Sequence, residues 1–227
     1  MSSHPRTVVV CAAPVENATE YYADLIRSAE YVVAVDDGAT LCRRIGRHPD
    51  IVVGDLDSID AATASWAERD GVEVLAFPSD KDVTDLDLAL EEMRRSARTG
   101  ICVTASWTGR LDHTVAALGS ISRYGDLEIS LRDPGMSGWV LDGEHRPRVA
   151  LAPKGAAVSL IATTGAACVS CSGMRYPLTR HTLDVLSSRG VSNVIAAAEA
   201  DVCVHEGTVC VISSDVGARS CAHALTW

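Results

Sequence analysis

Residues 31–58 read YVVAVDDGATLCRRIGRHPDIVVGDLDS, and one pattern occurs in them twice. An apolar run, Tyr31 to Val35, stops at Asp36 and Asp37. A helix-forming stretch, ATLCRRIG, follows, and a second apolar run from Ile51 stops at Asp55 and Asp57. Short β-branched runs separated by helical segments mark buried parallel strands with helical crossovers. The alternation extends in both directions. TVVVCA (7–12), GVEVLAFP (71–78) and GICVTASW (100–107) read as strands. NATEYYADLIRSA (17–29), AATASWAERD (61–70), DVTDLDLALEEMRRSA (82–97) and HTVAALGSISRY (113–124) read as helices. In the 82–97 helix, Leu86, Leu90, Met93 and Ala97 share one face. The first half, residues 1–137, is therefore expected to be an α/β domain with a Rossmann-like parallel sheet covered on both faces.

From about Gly138 the pattern changes to short strand-length runs: RVALAP, AVSLIAT, ACVSCSG, DVCVHEG and TVCVIS, separated by Gly, Pro, Ser and Thr. HEGT (205–208) reads as a hairpin turn. Residues 138–227 are expected to form an all-β domain, a sandwich or a barrel, with the boundary inside PGMSGWVLDGEHRPR (134–148).

Hydrophobic residues make up 47% of the 227, which is a globular composition. The formal net charge of −10 argues against nucleic acid or an anionic membrane as partner. A phosphorylated small molecule stays open, because a metal ion and a few cations can hold one inside an acidic protein. The eight cysteines do not read as a disulfide framework in a chain this long. Cys11, Cys102, Cys203 and Cys210 sit in strand-like runs and read as small core residues. The Cys168–Cys171 pair lacks a second pair or a nearby His for zinc. No targeting signal and no membrane-length apolar run is seen, so a reduced, cytoplasmic protein is expected.

In a parallel sheet all strand C-termini share one edge, and ligands bind there. That places Asp36, Asp37, Asp55, Asp57, Arg110 and Asp112 at one crevice. DKDVTDLDLAL (80–90) would add Asp80, Lys81, Asp82 and Asp85. Clustered carboxylates repel unless a cation neutralises them, and oxygen ligands without Cys or His select Mg²⁺. Mg²⁺ beside Lys and Arg is how proteins hold polyphosphates. Simpler readings exist for each residue. Asp57 and Ser58 could cap a helix, Asp82 with Asp85 resembles a capping box, and Asp36 with Asp37 suit a turn before Gly38. An EF-hand in the 80–91 stretch fails, because its sixth position holds Asp85 rather than Gly.

DDGA, GDLDS, DKDVTDLDLAL and GRLDHT, in this order over residues 34–120, resemble the thiamine pyrophosphokinase family. SLIATTG, SGMRYPL (172–178) and Ser192-Asn193 resemble, more loosely, the elements with which its β-domain helps bind thiamine. The resemblance implies pyrophosphate transfer from ATP to the thiamine hydroxyl, with Mg²⁺ as cofactor. It also implies a homodimer whose sites form where the α/β domain of one chain meets the β-domain of the other. On that basis Asp55, Asp57, Asp82 and Asp85 are assigned to the metal. Lys81 and Arg110 neutralise the triphosphate, and Asp37, Ser58, Thr84 and His113 lie on the nucleotide side. Asp112 either accepts the alcohol proton or orients Arg110. Ser192 and Asn193 face the thiamine pyrimidine. Thr108 replaces a usual glycine, Ala117 a frequent asparagine, and Val194 a usual glutamate. Two rivals remain: a related phosphotransferase acting on another alcohol, and a non-catalytic thiamine- or nucleotide-binding sensor.

Overall fold

The computed structural model describes residues 6–12, 19–55, 59–69, 71–78, 80–107 and 110–214. Six strands pair in parallel: β1 (Thr7–Val10), β2 (Tyr31–Val35), β3 (Ile51–Gly54), β4 (Glu73–Ala76), β5 (Ile101–Thr104) and β6 (Ser130–Asp133). Their order across the sheet is β6–β5–β1–β2–β3–β4. From β1 the chain adds strands outward to β4, then returns to place β5 on the other side of β1. The gap between the ends of β1 and β5 is thus a topological switch point.

The helices are α1 (Thr19–Arg27), α2 (Gly38–Ile45), α3 (Ala61–Arg69), α4 (Asp85–Arg95) and α5 (Leu111–Ser122). Strand alternation divides the core between the two faces. Val8, Val10, Val32, Ala34, Val52 and Cys102 pack with Ile26 of α1 and Leu41, Cys42 and Ile45 of α2. Val9, Val33, Val35, Val53, Ile101 and Val103 pack with Leu86, Leu90 and Met93 of α4 and Ile121 of α5.

The β half does not stand apart from this sheet. β7 (Met136–Asp142) turns back on β6 through Gly135 and pairs with it antiparallel. β14 (Thr208–Ser214), β9 (Ala157–Ala162) and β12 (Asn193–Val194) follow in turn, so one mixed sheet runs through ten strands. A second sheet, in the order β11 (Leu178–Leu183), β10 (Ala167–Ser172), β13 (Ala200–Glu206) and β8 (Arg148–Leu151), shares one core with it. Val158, Leu160, Val209 and Val211 from the large sheet meet Val169, Leu183, Val202 and Val204 from the small one. The architecture is mixed α/β, and the expected division at 137/138 falls inside β7.

Two local expectations need correcting. HEGT is not a hairpin: β13 pairs with β10 and β8, whereas β14 pairs with β7 and β9. Gly207 (φ +78) therefore carries the chain from one sheet to the other, and an added Cβ there would lie 2.7 Å from the Ala166 carbonyl oxygen. A corner between sheets and a tight turn have the same alternation on either side. The α4 helix also starts later and ends earlier than its periodicity suggests. Thr84, not Asp82, is the N-cap, and Ala97 sits beyond the end, exposed, with φ +52. Cys11, Cys102 and Cys210 are buried as expected, Cys203 is only half-buried, and all the described cysteines are free thiols. Among the described residues no helix is long and apolar enough to cross a membrane.

Candidate active site

At the C-terminal edge of the parallel strands a cavity of about 860 Å³ opens at the β1/β5 switch point. Its wall takes Cys11 and Ala12 from the end of β1 and Asp36 and Asp37 from the end of β2. Thr84, Asp85 and Leu86 come from the start of α4, and Arg110, Asp112 and His113 from the start of α5. The N-termini of α2, α4 and α5 therefore meet at one cavity, and helix N-termini favour anions.

Asp36 is the most perturbed acid here. It has φ +47, a conformation rare outside glycine, and its Oδ1 is buried without a hydrogen-bond donor among the described residues. Gly54 is what admits it: a Cβ there would stand 1.8 Å from Asp36 Oδ1. Burial, followed by the negative charges of Asp85 and Asp55, pushes the Asp36 carboxyl up to about 7, with Lys81 partly offsetting them. Lys81 Nζ lies 3.0 Å from Asp85 Oδ1 and 3.6 Å from Asp55 Oδ2, and it donates to the Pro78 carbonyl at 3.2 Å. Burial works against its charge, but Asp85, Asp55 and Asp36 hold the ammonium above its ordinary value.

Across the cavity Arg110 grips Asp112 through two hydrogen bonds, Nη2 to Oδ2 at 2.6 Å and Nε to Oδ1 at 3.3 Å. That bond holds the Asp112 carboxyl below the usual range. Both side chains are exposed, so the pair fixes geometry more than it adds stability.

The four aspartates of the 80–90 stretch separate cleanly. Asp85 reaches the site; Asp80 and Asp82 are exposed, and Asp82 does not line the cavity. Asp87 is buried and turned away from it. Thr84 Oγ1 accepts from the Asp87 N–H at 3.3 Å and donates to Asp87 Oδ2 at 2.7 Å, and the Thr84 N–H donates to the same carboxylate. This is a capping box with Asp87 in the third position. Arg123 Nη2 donates to Asp87 Oδ1 at 2.6 Å and Tyr124 Oη to the Asp87 carbonyl, tying the start of α4 to the end of α5. Burial would raise the Asp87 pKa, but bonds from Thr84, Ser120 and Arg123 outweigh it and hold it low.

Asp57 and Ser58, and the Thr108 departure, lie outside the described residues. In the β half, Ser192 is exposed with φ +60, and its N–H donates to Ser159 Oγ. Asn193 is buried, and its amide is already engaged: Oδ1 accepts from the Tyr176 N–H at 3.0 Å, and Nδ2 donates to the Tyr176 carbonyl at 2.7 Å. It therefore holds Tyr176, which is 60% exposed at a second cavity of about 410 Å³ lined also by Leu160, Arg175, Arg189 and Val191. Sequence reasoning passed over Tyr176, Ser106 and Asp133. Tyr176 is an aromatic inside the quoted SGMRYPL and was the legible one of the three; the other two depend on strand adjacency.

The residues present fit a hard divalent cation. Asp36, Asp55 and Asp85 supply only oxygen, they repel one another, and one buried oxygen lacks a donor. Among the described residues no three acids, histidines or cysteines already stand in metal-holding geometry. Lys81 holds Asp55 and Asp85 together instead.

A parallel sheet with a carboxylate-and-cation cavity at its switch point, continued into antiparallel strands that pack on a second sheet, defines a mixed α/β protein with its cavity at the edge where such sheets bind ligands. The thiamin pyrophosphokinase catalytic-domain model matches residues 22–131, and the vitamin B1 binding domain model of the same family matches residues 144–209. The chain belongs to the thiamin pyrophosphokinase family. It is 31% identical over 107 residues to thiamine pyrophosphokinase 2 of Arabidopsis thaliana, covering 44% of this chain and 40% of that one. Thiamine pyrophosphokinase 1 of Oryza sativa subsp. japonica is 25% identical over 139 residues, 54% and 53% of the two chains. The matched part thus spans about half or less of these relatives' length. In fold the chain is similar to thiamin pyrophosphokinase from Candida albicans, with TM-score 0.75, 15% identity and coverage of 93% and 90%. The same holds for the enzyme from Geobacillus thermodenitrificans, with TM-score 0.73, 23% identity and coverage of 93% and 98%.

Proposed function

We propose that this protein transfers the pyrophosphoryl group of ATP to the primary hydroxyl of thiamine, giving thiamine diphosphate and AMP. The observation that carries the reading is the switch-point cavity, where Asp36 and Asp85 share the wall with the Arg110–Asp112 pair and Lys81 links Asp85 to Asp55 beside it.

Such a transfer needs positioning and charge neutralisation more than covalent help. Lys81 and Arg110 neutralise triphosphate oxygens. Asp112 is committed to Arg110, which favours its orienting role over proton acceptance. Thr84 spends its hydroxyl on the α4 cap, so it serves the nucleotide by fixing that helix start. Asp37 and His113 line the same cavity on the nucleotide side. Asp55 and Asp85, with Asp36 and with Asp57 outside the described residues, would hold a magnesium ion. Bound there, the ion offsets the charge of the triphosphate and orients it.

For thiamine, the reading uses the β half. Asn193 presents Tyr176 rather than contacting ligand itself, and the exposed Tyr176 ring offers stacking surface for an aromatic ring of thiamine. Ser192 precedes Asn193 in the chain and is exposed. The chain acts in this reading as a cytoplasmic homodimer, the β half of one copy completing the α/β cavity of the other. The exposed Tyr176 and Val191 at the second cavity support such pairing.

The test is AMP release from ATP and Mg²⁺, with and without thiamine, together with detection of thiamine diphosphate. Thiamine-dependent AMP supports the reading. Thiamine-independent AMP or ADP points to a different acceptor, and saturable thiamine binding without turnover points to a sensor.

A further inference from the structure

Ser106 follows β5 directly at the switch point and lines the large cavity. It is 4% exposed, and its Oγ has no hydrogen-bond partner among the described residues. Buried hydroxyls are rarely left so, and each unpaired one asks for an explanation. The backbone that presents it is held against its own preference. Ala105 has φ +52, which costs a residue carrying a Cβ. Its N–H donates to Asp133 Oδ1 at 2.9 Å, and the same oxygen accepts from Tyr22 Oη at 2.8 Å. Asp133, at the end of β6, is itself 6% exposed and has its other oxygen unpartnered among the described residues. Strained turns fixed by buried groups in a cavity wall are where function concentrates.

The cavity wall has two characters. Charge lies at Asp36, Asp85, Arg110 and Asp112. Cys11, Ala12, Ala116 and Ala117 instead give small apolar surface. Phosphates belong at the cations, which leaves the small-residue wall for the rest of the nucleotide. Ala117, where an asparagine was expected from the resemblance, contributes no polar group there. Ser106 does.

We infer that Ser106 hydrogen-bonds the nucleoside half of the bound nucleotide, its hydroxyl turning into the cavity by one χ1 step. Asp133 and Tyr22 are positioning residues that hold the Ala105–Ser106 turn. This rests on the reading that a nucleotide occupies the cavity.

The test compares wild type with Ser106→Ala, Tyr22→Phe and Asp133→Asn. Ser106→Ala should raise the KM for ATP about three- to tenfold, leaving kcat and the thiamine KM nearly unchanged. Tyr22→Phe should act in the same direction and add little to Ser106→Ala; a merely structural role would move both KM values and kcat together. Calorimetry with AMP and with inorganic tripolyphosphate separates the halves of the nucleotide. Weaker AMP binding with unchanged tripolyphosphate binding supports the inference. Equal loss for both ligands, or an unchanged KM for ATP, overturns it. Wild type that binds neither ATP nor AMP would sink the nucleotide reading itself, and this inference with it.

Discussion

Asp85 and Asp87 stand two residues apart on one helix, and their substitutions should fail in opposite ways. Asp87→Ala removes the carboxylate half of the capping box and the partner of Arg123. Loss of a cap costs about 1 kcal/mol. A charge-assisted bond is worth roughly 1.5–3 kcal/mol when sheltered, but Arg123 is exposed, which reduces it to about 1. With some loss of packing at a position only 8% exposed, the total is about 2–3 kcal/mol. At 2–4 °C per kcal/mol for a chain of this size, the melting temperature should drop by roughly 5–10 °C. Turnover below that transition should stay within about threefold of wild type, since Asp87 does not itself line the cavity and reaches its wall only through the Thr84 cap. Asp85→Asn removes one of three crowded carboxylates while keeping its shape. Stability should hold within about 0.5 kcal/mol or rise, and thiamine-dependent AMP release should fall by roughly a hundredfold or more. Thermal unfolding followed by circular dichroism, beside a coupled AMP assay, reads both. An Asp87→Ala protein of wild-type stability with abolished turnover would refute this division of labour.

Three more outcomes follow from the same geometry. Asp36 ionises near 7 in the fold against about 3.9 unfolded, so the folded state holds an extra proton between those values, and its contribution to stability falls as pH rises through them. In metal-free protein, Asp36→Asn should therefore gain melting temperature over wild type as pH goes from 5 to 8; parallel curves would contradict the buried carboxylate. Gly38→Ala would place a Cβ 2.2 Å from the Val10 carbonyl oxygen, where backbone must shift. A loss of at least about 2 kcal/mol is expected, and a melting point within 2 °C of wild type, on the scale of roughly 2–4 °C per kcal/mol, would count against the close approach of α2 to β1. Lys81→Met should cut AMP release by on the order of a hundredfold, because Asp55 and Asp85 lose the cation between them; undiminished turnover removes Lys81 from the site.

Much of this protein was legible in one dimension. The apolar runs of β1, β2, β3 and β5, each only four or five residues long, sit between helices with clear periodicity, and parallel strands buried on both faces can hardly read otherwise. Parallel topology then sends every strand's C-terminus to one edge. The gathering of Asp36, Asp55, Asp85 and Arg110 was implied by their places in the chain. What the sequence left open depends on contacts between distant segments. Period-two alternation is the same whether a strand pairs with its predecessor or leaves for another sheet, so the corner at Gly207 read as a hairpin. Antiparallel β7 extends the parallel sheet through β6, a pairing that no local pattern encodes. Four closely spaced aspartates are chemically alike on paper. Only packing decided that Asp85 meets Lys81, that Asp87 meets Thr84 and Arg123, and that Asp82 faces water. The turn that Asp133 and Tyr22 impose on Ala105 joins three elements far apart in the chain, so only the folded chain could reveal it.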